Sequence, residues 1–119
     1  MSQNYFMIYN GISIVELTEE HAVLKAEITQ DSLNPYGYVH GGLFFTMADC
    51  AAGLLARTDG RKYVTQTATA NFIGNVKSGT IIAKSSFISR KNRISVIHVE
   101  IYWEETLLSD FTVNMYCVS

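Results

Sequence analysis

The sequence predicts an α+β fold in which an antiparallel sheet wraps around one long central helix. Three observations predict it. Leu43 to Arg57 is a run of good helix formers with four alanines, apolar nearly all round and stopped at Thr58-Asp59-Gly60, so it reads as a buried helix. From Val64 to the C-terminus the apolar residues recur with period two, the signature of strands with one face covered. The chain has 119 residues, 48% of them hydrophobic and 17% charged, which suits a single domain over residues 1–119 built on one core.

The elements follow in order. Met1 to Phe6 lacks the basic start and apolar run of a secretory signal, and no apolar stretch approaches the roughly 18 to 20 residues that cross a bilayer. Two short strand candidates come first, Ile12 to Leu17 and Ala22 to Ile28, with Glu19-Glu20-His21 as the turn between them. Asp31 to Gly42 is a loop, with turn signals at Asn34-Pro35 and Gly37. The helix follows. After it come strands Val64 to Phe72, Thr80 to Ser89, Ile94 to Trp103 and Leu107 to Val118, read as a meander with turns at Gly74-Asn75, Lys91-Asn92 and Glu104-Glu105. Ser95, Ile97, Val99, Ile101 and Trp103 share one face of their strand; Phe111, Val113, Met115 and Cys117 share one face of the last.

Composition also limits function. A formal net charge of -2 gives no electrostatic reason to bind nucleic acid or an anionic membrane. Low charge on so short a chain leaves more apolar surface than a monomer hides easily, so a subunit interface is expected. Cys50 and Cys117 form neither a disulfide framework nor a metal spacing, which reads as two reduced thiols in the cytoplasm. The scattered His21 and His98 offer no metal site, and neither a serine elbow nor a phosphate loop is present.

The chemistry concentrates between Asn34 and Asp49. His40-Gly41-Gly42 stands where the loop enters the helix. There the first-turn N–H groups lack intrahelical partners and the dipole is positive. Glycines allow close approach, so the place suits a carbonyl oxygen that gains charge in a transition state. Asp49 lies seven residues after Gly42, which puts the two within roughly 20° on the helix. Gly42, Thr46, Asp49, Gly53 and Ala56 form one small-residue stripe around that carboxylate. A structural acid paired with a neighbour is the competing account, because unpaired burial costs several kcal/mol.

Asn34, His40-Gly41-Gly42 and Asp49 at this spacing resemble the signature of PaaI-like acyl-CoA thioesterases of the hotdog superfamily, a likeness that runs over about residues 11 to 118. The resemblance implies a hotdog fold and hydrolysis of an acyl- or aryl-CoA thioester without cofactor or metal. It implies Asp49 as nucleophile or general base, the Gly41 amide as the group polarising the carbonyl, Asn34 holding substrate or water, and Thr65 orienting water. It further implies a homodimer or homotetramer, with Asp49 of one chain facing Gly41 of the next. One departure is Gly53, where some aryl-CoA relatives carry a hydroxyl.

Other residues have rival readings. His40 is nine residues from Asp49 across a loop-to-helix junction, which suits fixing the loop better than pairing with the acid; with Gly42 it is assigned to substrate binding. Cys50 points about 100° from Asp49 and reads as a small buried hydrophobe. Arg90, Lys91 and Arg93 make a basic turn that either meets the phosphates of CoA or is an ordinary solvated hairpin; Lys77, Arg61 and Lys62 are similar. Tyr36 and Tyr38 either line the acyl tunnel or pack the loop. Two further functions fit the same fold: a module that binds acyl-CoA without cleaving it, and a dehydratase, whose histidine-centred motif is absent.

Overall fold

A computed structural model describes residues 3–119. Met1 and Ser2, part of the N-terminal stretch read above, lie outside the described residues. A short helix α1 (Tyr5–Tyr9) opens the chain, followed by β1 (Ile12–Leu17), β2 (His21–Glu27), the long helix α2 (Gly41–Ala56), β3 (Tyr63–Phe72), β4 (Thr80–Arg90), β5 (Ile94–Trp103) and β6 (Thr106–Cys117). The six strands form one antiparallel sheet in the order β1-β2-β4-β5-β6-β3.

Helix α2 starts two residues before the predicted Leu43 because His40 caps it, its Nδ1 accepting the Gly42 N–H at 2.8 Å. It ends at Ala56, passes into a tight turn over Arg57–Asp59, and closes on Gly60 at φ +83°, a conformation that favours glycine. Ten of its residues are buried, among them Phe44, Met47 and Leu55, against the concave face of the sheet. Each such large side chain contributes about 1.5–3 kcal/mol by leaving water. From the sheet come Leu24, Ile81, Ile97, Val99, Ile101, Phe111 and Val113, so the predicted inner faces of β5 and β6 are the observed ones. Ala22 and Ala51 let helix and sheet approach closely, and the buried Ser85 hydroxyl lies within bonding distance of both their carbonyls, 3.0 Å from Ala51 O.

The predicted meander holds for β4-β5-β6 and fails for β3. That strand crosses to the far edge and pairs with β6, while β4 pairs with β2. Local anchors explain the crossover. The N–H groups of Ile73 and Gly74 donate to Leu108 O, fixing the end of β3 at β6. Ile28 N–H donates to Gly79 O, fixing the start of β4 beside β2. Between them, Val76 O accepts from Val39 N–H and the Asn75 side chain donates to Val39 O, so this connection braces the entrance to α2. The outer edge of β3 is consequently an open sheet edge.

Candidate active site

Asp49 sits on the face of α2 that looks towards the open edge of the sheet. It is half-buried, and its Oδ1 accepts a hydrogen bond from the Thr65 hydroxyl on β3 at 2.5 Å. No lysine, arginine or histidine of the described residues forms an ion pair with it. Space opens on both sides. One cleft of about 520 Å³ is lined by Asn4, Phe6, Phe45, Thr46, Asp49 and Thr65. Another, about 240 Å³, runs past Asp49 to Gly53, Arg57 and Tyr63. The small-residue stripe therefore does what its composition suggested and leaves room beside the charge.

The mouth of α2 is equally specific. Gly42 N–H is taken by the His40 side chain and Leu43 N–H by His40 O at 2.9 Å. Gly41 N–H has no acceptor among the described residues. It is thus a free donor at the positive end of the helix. Because His40 Nδ1 accepts, the ring proton rests on Nε2. A cleft of about 680 Å³ lies beside this mouth, lined by His40, Gly42, Thr46, Phe6 and Glu27 among others.

The remaining predicted residues divide. Asn34 does not line the clefts beside Asp49. Its Oδ1 accepts from Tyr36 N–H at 2.9 Å and Tyr38 N–H at 3.1 Å, which knots the loop before α2, with Gly37 at φ +84° in the turn. Its amide NH₂ is the part left for a ligand. Arg90 is occupied by the fold: it donates to Ala56 O, at the end of α2, and pairs with Asp59, both at 2.7 Å. Arg93 donates to Cys117 O at 3.1 Å, and Lys91 stands exposed at the hairpin tip. Cys50 is buried, as expected. Burial first, and then the charge of Asp49, push its thiol up to about 11, so it is a poor nucleophile.

Strand pairing also creates what spacing hid. His98 is not isolated: its ligand atom lies with those of Glu100 and Asp110 inside 4.8 Å, and His98 Nε2 bonds Asp110 Oδ2 at 2.8 Å. Sequence reasoning overlooked α1 altogether, yet its cap Asn4 and its Phe6 line the cleft beside Asp49. The signal available was Asn4 followed by Tyr5-Phe6-Met7, an N-cap before an apolar run.

The long helix, with the sheet packed along it in this strand order, is the architecture of a hotdog fold. A sequence model of the Thioesterase superfamily matches residues 36–109, and the chain belongs to that family, of PaaI-like type. Bacillus subtilis ComA2 is 31% identical over 102 residues, 82% of this chain and 81% of its own. The Escherichia coli acyl-coenzyme A thioesterase PaaI is 28% identical over 92 residues, 76% of this chain and 66% of its own. A Streptococcus pneumoniae thioesterase structure with coenzyme A superposes with TM-score 0.87 at 25% identity, covering 93% of this chain and 91% of that one. No helix of the described residues is long and apolar enough to cross a membrane.

Proposed function

We propose that the protein hydrolyses an acyl-CoA thioester to the free acid and CoA, in a site completed by two copies of the chain. The observation that carries this is Asp49 itself: a carboxylate with one hydroxyl donor and no counter-ion among the described residues, facing open clefts. A purely structural acid would have its oxygens taken up by neighbours.

Two copies are needed for a geometric reason. Gly41 and Asp49 lie on one helix, eight residues and about 12 Å apart along its axis, too far to meet at one carbonyl carbon. A second chain supplies the missing half. Thr65, the partner of Asp49, belongs to β3, whose outer edge is unpaired and whose residues from Val64 to Thr67 are exposed. Phe72 and Ile73 at its end are 57% and 59% exposed. An open edge with apolar residues calls for cover, and pairing β3 with its own copy buries it. That pairing sets Asp49 of one chain near the Gly41 amide of the other. Stacking of two such sheets would give a tetramer.

The carbonyl oxygen then accepts from Gly41 N–H. Asp49 either takes a proton from the attacking water or attacks the carbon itself to form an anhydride that water opens. The tetrahedral oxyanion stays on the Gly41 amide, and its collapse breaks the C–S bond and expels the CoA thiolate. Thr65 holds Asp49 Oδ1, leaving the other oxygen for the reaction. Lys91, with the Asn34 amide, is the remaining contact for CoA and water. Two buried unpaired thiols suit a reducing compartment.

The test is a panel of acyl-CoA thioesters with a thiol-trapping dye, run on the wild type and Asp49→Asn. The amide keeps the shape and can still accept from Thr65. A loss of about 10²–10⁴-fold with unchanged melting supports the reading. Retained turnover overturns it, and so does a wild type that acyl-CoA stabilises thermally without thiol release, which is the behaviour of a binding module.

A further inference from the structure

We propose that Arg57 selects the acyl group, favouring thioesters whose acyl part carries an acceptor oxygen (a phenolic hydroxyl or a carboxylate) over unsubstituted ones of the same size. The inference rests on the hydrolytic reading of Asp49 and names the substrate class of that site.

Asp49, Gly53 and Arg57 stand at intervals of four on α2 and the turn that ends it, so they share one face. The absent side chain at Gly53 decides where Arg57 goes. A Cβ built there would lie 2.8 Å from Arg57 Nη1 and 3.6 Å from Cζ. The guanidinium has therefore folded back onto the helix, over Gly53, one turn from Asp49 and about 6 Å further along the axis. It forms a wall of the 240 Å³ cleft that Asp49, Thr65, Tyr63 and Met115 also line.

The other arginines are satisfied internally. Arg61 and Arg90 share the Asp59 carboxylate, and Arg93 holds a carbonyl. Arg57 has no hydrogen-bond acceptor and no carboxylate partner among the described residues. Arg57 is exposed, and its five N–H donors, in a rigid fork, lie along the cleft that begins at Asp49. With the thioester carbon about 3–3.5 Å from Asp49 and the guanidinium one helical turn further along, an oxygen bonded to Arg57 belongs to the far part of the acyl group rather than to the carbonyl. A ring hydroxyl on an aroyl group or the far carboxylate of a short diacid is such an oxygen. An unsubstituted ring or chain would instead press CH groups against the guanidinium and strip its water without replacement.

The experiment compares kcat/KM for matched CoA thioesters, 4-hydroxybenzoyl against benzoyl and glutaryl against pentanoyl. The wild type is expected to favour at least one oxygenated member by tenfold or more. Arg57→Met should cut that ratio about 10–100-fold, the worth of one hydrogen bond from a charged donor. Gly53→Ala, which keeps the arginine but displaces it, should lower the ratio in the same direction. Circular dichroism confirms that both variants are folded. If the wild type cleaves the unsubstituted esters and shows no preference, or if Arg57→Met lowers both members equally, the assignment of Arg57 falls while hydrolysis stands. If no thioester releases thiol, both fall.

Discussion

Thr65→Val isolates the contact with Asp49, the carboxylate proposed to react. The substitution replaces a hydroxyl by a methyl of nearly the same volume on a strand where a β-branched residue is at home, so β3 is retained. What disappears is the donor 2.5 Å from Asp49 Oδ1. A hydrogen bond to a charged acceptor is worth about 1.5–3 kcal/mol, and Thr65 lies on the exposed part of β3, which points to the low end. The carboxylate then rotates more freely and keeps fewer productive orientations, so kcat should fall roughly tenfold. Thr65→Ser restores the donor and should return within about threefold of wild type on the same scale. Thiol release under saturating acyl-CoA gives the comparison, with thermal melts as the control. A valine variant within twofold of wild type, equally folded, would refute the idea that this hydroxyl positions the acid.

Three further outcomes follow from the geometry. Asp59 is held well below the usual carboxylate range: burial alone would raise it, but bonds from Tyr63 and from the backbone and side chain of Arg61, with the charge of Arg90, outweigh that. A depressed folded value stabilises above the unfolded pKa near 4 and is lost as pH falls below it, so Asp59→Asn should cost about 1 kcal/mol at pH 7, discounted for exposure, and less at pH 3; an offset independent of pH contradicts this. In a Cys117→Ser background, Cys50 should alkylate slowly at pH 8, with about one thiol in a thousand ionised, and faster in Asp49→Asn; fast labelling indifferent to Asp49 would contradict it. Phe111 is fully buried and meets the Phe45 and Phe72 rings edge-on at 5.5 and 5.8 Å, so Phe111→Ala should cost about 3–5 kcal/mol in denaturant unfolding, and a loss below 1 would place the core elsewhere.

The elements that periodicity encodes were legible in the sequence, and those set by long-range contacts were not. Inner faces such as Ile97-Val99-Ile101 follow from alternation alone. The placement of β3 beside β6 does not, since it depends on Ile73 and Gly74 finding Leu108, 35 and 34 residues away. Within the site, Gly41, His40 and Asp49 were readable because helix geometry relates neighbours along one segment. The bond between Thr65 and Asp49 is inter-element, and only the family likeness suggested that threonine. Arg90 shows the opposite error: a basic hairpin looks solvent-facing in sequence, yet this side chain turns inward to clamp the end of α2. Arg57 escaped notice because its position depends on what Gly53 lacks.

The shared site can be tested by mixing defects. Gly41→Pro removes the free amide at the first helical position, where proline is well tolerated, and Asp49→Asn removes the carboxylate. Each variant alone should be nearly inactive. Unfolded together and refolded, they should recover about a quarter of wild-type turnover, because half the dimers are mixed and one of the two sites in each is intact. Mixtures no more active than their separate components would place both groups in one chain and contradict the account.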